Sequence, residues 1–133
     1  MIKKISIIAF LAILSLSCDI NEKRANSCPV IIGVSTTKVS GPIATAIDEA
    51  IVLEVSYKTK KNCGGFSSFF KNPSTDPLVD IITTNTFYDA CSCDEVVSVQ
   101  KEPYTFKKST PGIYIVKFKN TNETFIEHTV TVQ

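Results

Sequence analysis

The sequence has almost no surplus charge: its 133 residues carry 14 basic and 13 acidic side chains, with one histidine and five glycines. A protein that grips a polyanion needs clustered Lys and Arg, so a net charge of +1 argues against nucleic acid as a partner. His128 has no serine or cysteine at catalytic spacing with an orienting acid beside it, and is read as a packed or edge histidine. The glycines fall at turns or in the pair Gly64-Gly65, never in a phosphate-cradling pattern, and that pair is expected to give backbone freedom after Cys63. Asp76, Asp80, Asp89, Asp94 and Glu95 lack the spacing of a calcium loop and are read as a solvated rim. No catalytic constellation emerges, so the expectation is a protein that is not an enzyme and uses no cofactor or metal. The length suits one domain, and 44% hydrophobic with 20% charged residues suits a folded one.

The sequence has only one long apolar run, residues 5–16, preceded by Lys3 and Lys4 and followed by Ser17 and Cys18. It falls short of the roughly 20 residues that a membrane-spanning helix needs, and two lysines, a short greasy stretch and small residues make a secretory signal. The stretch Leu14-Ser15-Leu16-Ser17-Cys18 resembles the lipobox of bacterial lipoproteins. The resemblance implies cleavage of residues 1–17, a lipid-bearing Cys18 as the first mature residue, and attachment to the membrane through that lipid. Each buried methylene of an acyl chain contributes about 0.8 kcal/mol, so several palmitate-type chains on one cysteine anchor stably. Losing Lys3 and Lys4 leaves 12 basic against 13 acidic groups. Residues 18–27 are polar and aperiodic, and are read as a tether.

Residues 28–133 alternate apolar and polar side chains between turn clusters, which predicts about seven strands and no helix. The first covers 30–39, with Val30, Ile32 and Val34 on one face. The second covers 50–60, with Ile51, Leu53, Val55 and Tyr57 inward. The third opens at Cys63 and runs through Phe69 and Phe70, the fourth covers 79–88, and the fifth covers 93–106 with an interruption near Pro103. A sixth at 113–119 puts Tyr114, Val116 and Phe118 on one face, and a seventh at 124–132 does the same for Ile126, Val130 and Val132. Phe66, Phe69 and Phe70 are read as core filled from both sides, with an exposed contact aromatic as the alternative. Seven antiparallel strands at this spacing predict an immunoglobulin-like β-sandwich, with a lipocalin-like barrel as the alternative.

The passage from Tyr104 to Phe118, with Pro111-Gly112 ahead of a strand carrying Tyr114, resembles the fifth-to-sixth strand region of bacterial immunoglobulin-like domains. Together with Asn62-Cys63-Gly64-Gly65-Phe66 and Cys91-Ser92-Cys93, it resembles a group of small Bacteroidetes-type lipoproteins with a single such domain. The resemblance implies a fold and an envelope location but no activity.

Beyond Cys18, the four cysteines Cys28, Cys63, Cys91 and Cys93 predict two disulfides in an exported protein. Joining Cys91 to Cys93 is disfavoured, because side chains two apart on a strand do not meet disulfide geometry, so two pairings survive. With the first, second and fifth strands as neighbours in one sheet, Cys63–Cys93 with Cys28–Cys91 is favoured, and the swapped pairing stays open. The competing reading is a thiolate metal or redox site. The expected function is therefore a lipid-anchored binding or accessory module without catalytic activity. It would sit at a bacterial outer membrane, on the periplasmic or the surface face, with a protein or glycan as ligand; metal or redox handling by the cysteines is the alternative. Inhibition of an envelope or secreted hydrolase by loops at one pole is a third reading, by analogy.

Overall fold

The computed structural model describes residues 30–61, 64–88 and 96–133, which form nine strands and no helix. They pack as an immunoglobulin-like β-sandwich. One sheet joins β2 (Thr36–Ser40), β4 (Ile51–Lys60) and β7 (Val97–Phe106) in that order. The other runs from β1 (Val30–Val34) through β6 (Val79–Tyr88), β8 (Gly112–Lys119) and β9 (Phe125–Val132) to the two-residue β3 (Ala44–Thr45), with β5 (Gly65–Asn72) also on β6. The second half of the first expected strand thus lies in one sheet with the second and fifth. The signal, the tether and all five cysteines lie outside the described residues.

The alternation that sequence periodicity predicts is what builds the core. Leu53 and Val55 of β4, Ile82 of β6, Phe106 of β7, Tyr114, Val116 and Phe118 of β8, and Val130 and Val132 of β9 form one buried cluster. Each such side chain contributes about 1.5–3 kcal/mol through loss of water contact. The Pro111-Gly112 turn delivers Tyr114 inward, where its hydroxyl donates to the Thr110 carbonyl at 3.0 Å and sits 2.7 Å from Thr110 Oγ1. This fastening of a strand-start tyrosine to the preceding corner is a hallmark of immunoglobulin-like sandwiches.

Three expectations are corrected. The stretch 30–39 is not one strand: it breaks at Ser35, so that β1 pairs with β6 and β2 pairs with β4 in the opposite sheet. Val30, Ile31 and Ile32 are exposed, so β1 has no buried face. Pro103 does not interrupt the fifth strand, because among the described residues β7 is an edge strand with β4 as its one neighbour and needs no amide hydrogen on its free side. Phe69 packs on the core while Phe70 is 55% exposed, since β5 has the sandwich interior on one face and solvent on the other.

Strand β6 is the hub. Its one flank carries β5 along most of its length; its other flank is shared, with β1 antiparallel on residues 84–88 and β8 parallel on residues 79–82. At the end of β6, Val30 pairs with Tyr88 and Gly65 with Phe87, while across the sandwich Lys60 pairs with Val97. These strand ends define one pole, and the interior opens there.

Candidate functional site

The interior changes character along β4 and β6. On β4 the inward positions run Leu53, Val55, Tyr57, Thr59, and on β6 they run Ile82, Thr84, Thr86, Tyr88, every one of them buried. Both columns pass from apolar to hydroxyl-bearing toward the pole. Thr36 Oγ1 of β2 and Thr84 Oγ1 bridge the two sheets at 2.9 Å. By contrast, the hydroxyls of Thr59 and Thr86 are buried without a hydrogen-bond partner among the described residues. Burial pushes the Tyr88 phenol up, but Thr59, Thr86 and the Lys60 backbone around it outweigh that and hold its pKa below the usual tyrosine value. The two threonine hydroxyls therefore lie close to the phenol without the geometry that would complete a bond to it. A buried hydroxyl left in this state costs about 1–3 kcal/mol relative to a satisfied one.

Strand β7 reverses its pattern at the same pole. Tyr104 and Phe106 face the core, and counting back by two gives Glu102, Gln100 and Ser98 on the same face, with Glu102 and Ser98 half-buried and Gln100 exposed at the mouth. The outward positions Val97 and Val99 are 56% and 59% exposed. Polar residues facing in and valines facing out break the binary pattern on which the rest of the sandwich is built, and such local breaks concentrate at functional sites.

The reversed segment forms one wall of a cleft of about 450 Å³, within the roughly 300–1,000 Å³ typical of ligand sites. Tyr57, Thr59, Lys60 and Lys61 line it from β4 and its end, Ser98, Gln100 and Glu102 from β7, and Gly64, Gly65 and Phe66 from the start of β5. Gly64 has φ +65°, and a Cβ there would stand 1.6 Å from the Phe87 carbonyl oxygen; only glycine lets the chain enter β5 along this wall. Burial, with the Glu102 carboxylate adding to it, raises the Tyr57 phenol pKa, so this phenol stays a neutral hydrogen-bonding group at the cleft. Phe66 connects the cleft to the core through a relay of rings: Tyr57–Phe66 at 6.3 Å, Phe66–Phe69 at 4.8 Å, Phe69–Tyr104 at 5.3 Å and Tyr104–Phe118 at 5.2 Å between centroids.

Two further hollows are less equipped. A cavity of about 570 Å³ lies where β1 and β8 leave a gap along β6, lined by Gly33, Val34, Ser35, Thr83 and residues 119–122. It has no ring and only Lys119 as a charged group. A groove of about 250 Å³ backs onto the cleft and shares Thr59 and Lys60 with it.

The residues singled out by sequence fall differently. His128 is half-buried on β9, its Nε2 2.9 Å from the Pro42 carbonyl oxygen, where it ties the strand to the loop before β3; this is the structural role expected of it. Asp80 is not part of a solvated rim. Its side chain is 6% exposed and pairs with Lys71 at 2.7 Å and Lys108 at 2.8 Å. Asp76 shapes the turn before β6, its Oδ1 accepting from the Leu78 amide at 2.9 Å. Asp89, Asp94 and Glu95 lie outside the described residues, as do Cys18, Cys28, Cys63, Cys91 and Cys93. Among the described residues no group of His, Cys, Asp and Glu is placed to hold a metal ion.

Sequence reasoning missed Ser98, Gln100 and Glu102, although a period-two count from Tyr104 and Phe106 exposes the reversal. Compared with protein-family models, with curated proteins and with solved structures, the chain matches none of them.

Proposed function

We propose that the protein is a lipid-anchored binding or accessory module of a bacterial cell envelope, without catalytic activity, held at the outer membrane through Cys18. The single observation that supports binding is the cleft at the pole, where β7 turns Ser98, Gln100 and Glu102 inward beside Tyr57 and Phe66. A sandwich that needed only stability would place apolar side chains at these positions. The anchor is supported by the apolar run 5–16 and the residues leading to Cys18. Two disulfides among Cys28, Cys63, Cys91 and Cys93 belong to the same proposal. In support, the strand ends next to these cysteines in sequence are paired with one another: Val30 with Tyr88, and Lys60 with Val97.

Intact mass of the protein isolated from host membranes, with and without reduction before thiol alkylation, tests the proposal. The expected result is a chain beginning at an acylated Cys18, with four further thiols that alkylate only after reduction. Thiols that alkylate without reduction would overturn the disulfides and turn attention to metal or redox handling. A chain that retains residues 1–17, or lacks acylation, would overturn the anchor.

A further inference from the structure

Resting on the reading of the domain as a binding module, we propose that the cleft takes a neutral, ring-sized saccharide unit, with Gln100, Glu102 and Lys61 hydrogen-bonding its hydroxyls and Phe66 meeting its apolar face. The lining chemistry selects this class. Glu102 stands on one wall with Lys60 and Lys61 on the other, so a charged ligand of either sign meets a like charge in the cleft, and a ligand without net charge meets none. A sugar hydroxyl both donates and accepts. That matches a wall with an acceptor-only carboxylate, a donor-only ammonium, the two-way amide of Gln100 and the hydroxyls of Ser98 and Thr59. Thr59 is more than nine-tenths buried, lines the cleft, and has no hydrogen-bond partner for its hydroxyl among the described residues. A buried hydroxyl in that state is available to a ligand that reaches it. Phe66 is half-buried and backed by Tyr57 and Phe69, so its ring is a fixed apolar wall of the cleft rather than a mobile side chain.

The test is a titration of the whole chain in detergent with glucose, galactose, N-acetylglucosamine and cellobiose, following backbone amide NMR shifts and reading Kd from the sugar that binds. Shifts are expected at Thr59, Gly65, Ser98 and Gln100. Gln100→Ala and Glu102→Gln, both on the edge strand β7, are each expected to weaken binding about tenfold, equivalent to about 1.4 kcal/mol. Thr59→Val keeps the shape and removes the hydroxyl, so it is expected to weaken binding while leaving the folded spectrum intact. Phe66→Leu keeps apolar volume in the ring relay and removes the flat face, so it is expected to weaken binding while leaving the fold intact. Asn120→Ala, in the larger cavity beside β6, is expected to leave Kd unchanged. Shifts confined to residues outside the cleft, or a Kd unmoved by Gln100→Ala and Glu102→Gln, would overturn the assignment of the site. Absence of any shift with all four sugars would overturn the saccharide inference, while acylation of Cys18 and the state of the thiols decide the anchored module separately.

Discussion

The two ends of the sandwich bury polar groups in opposite ways. Around Asp80 a carboxylate is enclosed and fully answered. Lys108 reaches both of its oxygens, at 3.0 and 2.8 Å, and Lys71 lies 2.7 Å from one of them. Lys108 in turn lies over the rings of Phe106 and Tyr114, at 5.7 and 5.0 Å from their centroids. At the cleft end the buried groups are neutral hydroxyls, and two of them are left without a partner among the described residues. A charge cannot be left unanswered in a low-dielectric interior, because the penalty is several kcal/mol, whereas an orphaned hydroxyl is tolerated at a smaller cost. The satisfied end therefore reads as structure, and the unsatisfied end as a place kept open for something else.

If the Asp80 end is the structural one, substitutions there must cost most. Phe118 is fully buried between Phe69 and Tyr104, and Phe118→Ala is expected to lower the unfolding free energy by about 4 kcal/mol through the cavity it leaves. The urea midpoint measures this, and a loss below that of a surface substitution would mean that the core is not where the structure puts it. Asp80→Ala follows at about 3 kcal/mol, because it strands the half-buried Lys108; the exposed Lys71 adds little. The same carboxylate sets an acid limit. Burial alone would raise its pKa, but hydrogen bonds and charge from Lys108 and Lys71 outweigh this and lower it. A lowered folded pKa means that the contribution is present above the unfolded carboxyl value of about 4 and is lost as pH falls through the folded one. Wild-type stability should drop across that window, and the drop should shrink in Asp80→Asn.

The phenols of the ring relay give an alkaline counterpart. Burial, helped by the negative charge of Asp80, pushes the Tyr104 pKa up to about 12. With the folded value above the unfolded one of about 10, the neutral phenol stabilises the fold below pH 10, and that contribution disappears as pH rises toward 12. Ultraviolet titration is expected to show a late tyrosine step that is missing in Tyr104→Phe. Replacing Tyr114 by Phe keeps the ring and removes its bonds to Thr110, at an expected cost of about 1 kcal/mol.

How much of this was legible in the sequence depended on whether local pattern or long-range pairing decided it. The strands at 50–60, 79–88, 113–119 and 124–132 were placed to within about a residue, because each alternates cleanly and is closed by turn residues. The break at Ser35 was not visible, since the stretch 30–39 is apolar enough for either sheet and only the partners β6 and β4 decide that it changes sheets. Asp80 looked like rim because its lysines come from elsewhere in the chain: Lys71 lies across the β5–β6 turn and Lys108 in the corner after β7. The cleft was half legible: the reversal on β7 is present in the sequence, but that it faces Tyr57 and Phe66 is a fact of how the sheets splay at the pole.

The smallest expected effects separate answered from unanswered hydroxyls most sharply, because they differ in sign. Thr36→Val breaks the 2.9 Å bridge to Thr84 across the sheets and leaves the buried Thr84 hydroxyl unanswered, so it is expected to destabilise by about 1 kcal/mol. Thr86→Val is the same chemical change on β6, at a fully buried position whose hydroxyl has no completed bond among the described residues. It exchanges a hydroxyl for a methyl of nearly the same shape, so the fold should lose nothing and gain up to about 0.5–1 kcal/mol. Thermal unfolding of the two variants side by side measures the contrast. Destabilisation by Thr86→Val as large as that by Thr36→Val would show that its hydroxyl is answered in the folded protein, by Tyr88 or by a bound water. That hydroxyl would then no longer mark the cleft end as open, and the case for a ligand would rest on Thr59, Phe66 and the reversed face of β7.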